Sequence, residues 1–197
     1  MITWISRPAA AAFALLGLSG CEGGTKSGLF AGLGVSTAAE TKPVALSQAK
    51  MAKGAFTLVP PEGFCIDQAS LKQRFALLAR CEALGAPNAG GGAPLGILIV
   101  SVTPDAPVGA LPTAEQTADA LKLARFTAAE SENNAITYRA EGAPPVEGMD
   151  VVHWRGTAQI GGQLVGLALY GPKGGRAVSG EGREILNSLI RRTRKVS

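Results

Sequence analysis

The chain has 197 residues, of which 46% are hydrophobic and 17% charged, with a formal net charge of +4. It is too apolar and too weakly charged for a mainly disordered protein, and its length fits one folded domain plus an extension. One histidine and three cysteines exclude a zinc site built on several histidines and a cluster held by many cysteines.

Residues 1–20 read as an export signal. Arg7 and the amino terminus supply positive charge, and residues 9–18 form an uncharged, mostly apolar run. That run is too short for a membrane-spanning helix, which needs about 20 residues. It ends in Leu18-Ser19-Gly20-Cys21, which resembles the lipobox of bacterial lipoproteins. The resemblance implies cleavage between Gly20 and Cys21, a diacylglyceryl thioether on Cys21, and acylation of the new amino terminus by a chain such as palmitate. Two or more acyl chains hold a protein stably to a bilayer where one holds it marginally. The expectation is therefore a protein lipid-anchored in the cell envelope, facing the periplasm, with membrane lipid as its first partner. Glu22 stands after the cysteine where an Asp would favour inner-membrane retention in the lipoproteins it resembles, so the outer membrane is favoured. Loss of the leader removes Arg7 and Trp4, leaving Trp154 as the one tryptophan. The mildly basic balance suits an anionic membrane surface, and nucleic acid is not an expected partner.

Residues 21–53, the lipidated cysteine and the Gly-, Ala-, Ser- and Lys-rich stretch after it, lack sustained periodicity and read as a flexible tether. A partial helix over residues 45–53 is the alternative. Residues 54–194 then form a single α+β domain, long enough for one core. Residues 56–59 read as a strand ended by Pro60-Pro61, and residues 64–67 as another. Residues 71–81 fit either a helix or a buried strand. The cysteines can decide. With Cys21 given to lipid, Cys65 and Cys81 remain as a pair in an oxidising compartment. A disulfide needs Cα atoms about 4.4–6.8 Å apart, whereas a continuous helix would hold them roughly 24 Å apart. A hairpin turning near Gln73 brings them together, so a disulfide implies strand–turn–strand; two buried thiols are the alternative.

Residues 95–102 form the best central strand, β-branched and apolar on both faces. Thr113 and Gln116 make a capping box for a helix with Ala114, Ala118 and Leu121 on one face. Residues 134–141 read as a strand. Residues 149–170 form a long hairpin turning at Gly161-Gly162. Pairing Ile160 with Gln163 puts Trp154, Gly156 and Ala158 opposite Leu169, Leu167 and Val165 on an inner face. His153, Arg155 and Thr157 then lie opposite Tyr170, Ala168 and Gly166 on an outer, solvated one. Residues 181–193 close the domain as a helix with a buried stripe of Ile185, Leu186, Leu189 and Ile190. Arg191, Arg192, Arg194 and Lys195 follow at the end its dipole favours.

This order of elements, with Phe56-Thr57-Leu58-Val59-Pro60-Pro61-Glu62-Gly63-Phe64, the strand at 96–102, the hairpin at 149–170 and Ile185-Leu186-Asn187-Ser188-Leu189-Ile190, resembles the PsbP-like fold of photosystem extrinsic subunits and DcrB-like bacterial lipoproteins. The resemblance implies an antiparallel sheet covered by helices and brings no catalytic motif with it.

Catalytic patterns are missing from the residues themselves. His153 is the sole histidine, and Asp150, three residues away on one strand, points to the opposite face. There is no Gly-x-Ser-x-Gly elbow and no paired-carboxylate spacing. Gly90-Gly91-Gly92 precedes a strand, where a phosphate loop would follow one; Gly174-Gly175 reads as a turn. The basic tail is either a solvated helix end or a contact for anionic lipid or an acidic partner. The expectation is a non-catalytic envelope module that binds or scaffolds an envelope protein, or alternatively a small-ligand-binding lipoprotein with its pocket between sheet and helices. No metal or cofactor is implied.

Overall fold

Alternation along two strands organises the domain. In β9 (Val152–Ile160) and β10 (Gln163–Tyr170) the pairing is Ile160 with Gln163, Ala158 with Val165, Gly156 with Leu167 and Trp154 with Leu169, the register the glycine turn predicts. Gly161 and Gly162 both have positive φ, the geometry of a two-residue hairpin turn. A Cβ on Gly161 would lie 2.3 Å from the Ala55 carbonyl oxygen, so the turn is also a close packing contact.

The computed structural model describes residues 44–86, 92–104, 109 and 111–195, all within the compact unit Thr41–Ser197. The other strands are β1 (Ala45–Leu46), β2 (Ala49–Met51), β3 (Phe56–Leu58), β4 (Phe64–Asp67), β5 (Phe75–Arg80), β6 (Ile97–Thr103), β7 (Arg125–Glu132) and β8 (Ala135–Glu141). Eight of these ten strands make one antiparallel sheet in the order β1-β4-β5-β6-β10-β9-β8-β7, and β2 pairs with β3 separately. The helices are α1 (Ala114–Ala120) and α2 (Gly180–Lys195). With 43% strand against 23% helix, the protein is mainly β. This corrects the expected α+β architecture of a sheet covered by helices. The miscount comes from strands without alternation. β7 is polar and exposed along nearly its whole length, and β1 and β2 lie inside the segment read as tether.

Val100 of β6, Leu167 and Leu169 of β10 and Ala158 of β9 project from one sheet face. There they meet Leu186, Leu189 and Ile190 of α2, and Met51, Phe56 and Leu58 of the two-stranded ribbon, in one large core. Gly182 makes the seating of α2 possible. A Cβ there would lie 2.1 Å from the Ala177 carbonyl oxygen and 2.2 Å from Trp154 Cδ1, and the Trp154 indole N–H donates to Ser179 O at 2.5 Å. Tyr138 and Ala140 of β8 project from the opposite face and cluster with Ala114 of α1. The Thr113–Gln116 capping box is formed in both directions, at 2.9 and 3.1 Å. Leu121, expected on one face of α1 with Ala114 and Ala118, is exposed, because the helix ends at Ala120 and Leu121 is already its C-cap.

Residues 75–80 are strand, paired with β4 through Cys65–Ala79 and Phe64–Arg80. The sulfurs of Cys65 and Cys81 lie 2.00 Å apart, with Cα atoms 4.8 Å apart. Residues 1–20 and Cys21, with the Leu18-Ser19-Gly20-Cys21 box, lie outside the described residues.

Candidate functional site

The face away from α2 carries the polar cluster. His153, expected on a solvated face, is fully buried; α1 and the segment after it cover this side of the sheet. Its ring stacks on Tyr170 with centroids 4.3 Å apart. Both ring nitrogens are committed. Nδ1 lies 2.9 Å from Val151 O, and Nε2 accepts from Arg155 Nε–H at 3.0 Å. Because Nε2 must offer a lone pair, Nδ1 carries the proton and donates to the carbonyl. Burial pushes the imidazole pKa down to about 4, the Val151 carbonyl draws it up, and the Arg155 charge lowers it further. His153 is therefore neutral at neutral pH. Asp150 does not join it: its carboxylate accepts from Val152 N–H at 3.1 Å.

Arg155 is half-buried, donating from Nη2 to Tyr170 Oη at 2.8 Å and from Nε to His153. Among the described residues no carboxylate pairs with it. Of its five N–H bonds two are used, leaving three. Near it, the Tyr138 hydroxyl is fully buried without a hydrogen-bond partner. Burial raises the phenol's pKa, while the Arg155 charge and the neighbouring Thr117 hydroxyl pull it back. Thr117 is thus the hydrogen-bonding neighbour of the Tyr138 hydroxyl, although the pair falls short of full hydrogen-bond geometry.

Both groups line a pocket of about 360 Å³ between the sheet and α1. The cavity exists because this face carries small side chains where the other carries large ones. Ser101 and Gly166 sit opposite each other on β6 and β10, and Ala168 sits opposite Ile99. The seven-residue α1 roofs them with Gln116, Thr117 and Ala120. The walls mix these with Leu164 and Pro112, and Arg155 is the single charged residue among the described lining.

Neither Arg155 nor Tyr138 was singled out from the sequence as a functional residue. The available signal was an arginine inside a strand, opposite alanine and two residues from a histidine, on the face taken as solvated. The basic tail divides. Arg191 and Arg192 are exposed, whereas Arg194 donates to the carbonyls of Asn133, Asn134 (2.7 Å) and Gln159 (3.0 Å), clamping the β7–β8 turn to β9. Partial burial lowers its pKa. Among the described residues no group of three or more His, Cys, Asp and Glu could hold a metal ion, and no helix is long and apolar enough to cross a membrane.

No protein-family model matches this chain, and neither a curated protein nor a solved structure matches it. Nothing in these comparisons identifies a lipoprotein or a PsbP-like domain.

Proposed function

We propose that this chain is a non-catalytic, small-ligand-binding module tethered to the envelope membrane through lipid on Cys21. The observation that carries the reading is the pocket under α1. It is of ligand-binding size, with an arginine that has no acidic partner among the described residues and a buried tyrosine hydroxyl with no partner in full hydrogen-bond geometry. A fold with no use for these groups would lower its free energy by neutralising or removing them, and a ligand would satisfy both. The engaged ring nitrogens of His153 support a binding rather than a catalytic role, since neither is left to move a proton.

The anchor is supported by the lipobox and the preceding leader. Envelope location suits a binding module that meets diffusible molecules. The test is to purify the chain from its own membranes, denature it, and identify by mass spectrometry the small molecules released. A compound released stoichiometrically from wild type, and missing from an Ala168→Phe variant with a filled pocket, is expected. Identical release from both proteins, or none from either, overturns the binding reading. Loss of membrane partitioning in Cys21→Ser is the separate expectation for the anchor, and unchanged partitioning defeats that part.

A further inference from the structure

Resting on that ligand-binding reading, we propose that the pocket takes a monocarboxylate with an apolar body, about a dozen non-hydrogen atoms in all, its carboxylate held by Arg155 and the Tyr138 hydroxyl. Size comes from the volume. At the ~30 Å³ that one water occupies in the liquid, about 360 Å³ accommodates about a dozen heavy atoms.

Charge comes from the lining. Arg155 is the one charged residue among the described walls, so a cation is repelled and a neutral guest leaves the guanidinium unneutralised in a half-buried place. A single cation matches a single negative charge; a doubly charged phosphate monoester would bring a surplus charge into an otherwise apolar and hydroxyl-lined cavity. The donors fit a carboxylate. Arginine presents N–H bonds in a planar fork that matches two carboxylate oxygens, and three of its five are unspent. His153 and Tyr170 hold the other edge of the guanidinium through Nε and Nη2, which fixes the fork's plane before a ligand arrives. The Tyr138 hydroxyl is a fourth donor, already desolvated, so accepting its hydrogen bond costs the complex no further burial of the phenol. The remainder of the guest meets Ile99, Leu164 and Ala168, carbon surfaces that leave room and offer no charge.

The experiment is calorimetric titration of the full chain at neutral pH. The probes are 4-phenylbutyrate and nonanoate, each beside the alcohol and the amine of the same carbon skeleton and the phosphate monoester of that alcohol. A charge-assisted hydrogen bond is worth enough for the better carboxylate to bind about tenfold or more tighter than its alcohol, with the amine weakest. Arg155→Met is expected to erase the preference while retaining alcohol binding. Tyr138→Phe, which removes a hydroxyl with no partner in full hydrogen-bond geometry, is expected to weaken the carboxylate several-fold and affect the alcohol less. If the alcohol, the amine or the phosphate monoester matches or beats the carboxylate, the ligand class is wrong while the pocket reading survives. A carboxylate preference that persists in both variants also overturns the assignment. If no probe binds saturably to wild type, the ligand class and the binding reading fall together.

Discussion

One sheet has two unlike faces. The side toward α2 is packed with Leu, Ile, Val, Phe and Trp under a sixteen-residue helix. The side toward α1 has mostly small buried residues around Tyr138, a seven-residue roof and a cavity bordered by an arginine and a lone hydroxyl. The strands contribute to both at alternate positions, so the difference is written in parity. Leu167 and Leu169 point one way from β10, Gly166 and Ala168 the other. Stability is concentrated on the first face, where apolar burial is large. The second face keeps polar groups and space, features that weaken a core and equip a site.

The same substitution on each face separates the two most sharply. Gly182→Ala drives a methyl into the Ala177 carbonyl and the Trp154 ring, both fixed, at 2.1 and 2.2 Å; it is expected to cost about 3 kcal/mol or more. Gly166→Ala meets only Ser101 Oγ, at 2.9 Å, the end of a side chain that can rotate. Its cost should stay below about 1 kcal/mol, since alanine restricts the backbone of the unfolded chain and so leaves less entropy to lose on folding. Urea denaturation of both variants decides, and equal losses would mean that the pocket face is packed as tightly as the core.

The next effect concerns the cysteines, both buried but outside the large core under α2. Cys65 alternates with Ile66 on β4 and so faces away from α2. Closing a loop with a sequence separation of 16 stabilises by about 3 kcal/mol in the chain-entropy model. The Cys65→Ser/Cys81→Ser double variant should lower the denaturation midpoint relative to wild type and steepen the slope, because the unfolded chain loses its constraint. Thiol alkylation before and after reduction should differ by two sites; no difference would remove the cross-link.

Much of the dry face was legible in the sequence, and little of the other. The 149–170 register follows from a Gly-Gly turn and alternation, and the α2 stripe from helical spacing, because both are set by apolar periodicity. β7 gave no such signal. As an edge strand exposed on both sides, Arg125–Glu132 needs no apolar face, and its bulge between Thr127 and Glu130 breaks any alternation. The Asn133-Asn134 pair, both at positive φ, was the readable clue to that hairpin, since asparagine tolerates left-handed geometry. The site was hidden for a related reason. Polar residues on alternate positions of a strand signal solvent unless something covers them. The cover here is a short helix whose placement depends on non-local packing, so His153 and Arg155 read as outer-face residues. β1 and β2 were obscured by brevity: two- and three-residue strands carry no period.

Acid should lower the stability of the fold through the buried histidine of the polar face. His153 binds its proton at about 4 when folded and near 6.5 when unfolded. A lowered folded-state pKa means that the unfolded chain takes up the proton first as pH falls. The contribution of the neutral imidazole is therefore complete above 6.5, drains between 6.5 and about 4, and is constant below. At ~1.4 kcal/mol per unit the ceiling is about 3 kcal/mol, and relaxation around the ring will return less. His153→Gln, which offers Arg155 an amide oxygen, should be flatter than wild type across that window in urea titrations. Parallel profiles would place the acid sensitivity in the carboxylates instead.

The smallest effect carries the sharpest sign. Two tyrosines face the same guanidinium. Tyr170 accepts from Arg155 at 2.8 Å, whereas the Tyr138 hydroxyl is buried with no partner. Tyr170→Phe deletes a hydrogen bond to a charged group and should destabilise the protein by about 1 to 2 kcal/mol. Tyr138→Phe deletes a desolvated group that makes no well-formed hydrogen bond within the protein, so stability should hold or rise by up to about 1 kcal/mol. A residue kept for packing would show the same sign in folding and in binding. Tyr138 is expected to show opposite signs, tolerated or favourable in the denaturation midpoint and unfavourable in carboxylate affinity. Loss of stability in Tyr138→Phe comparable to that of Tyr170→Phe would mean that the hydroxyl already has a partner in the empty protein, and the pocket would lose one of its two reasons to take a ligand.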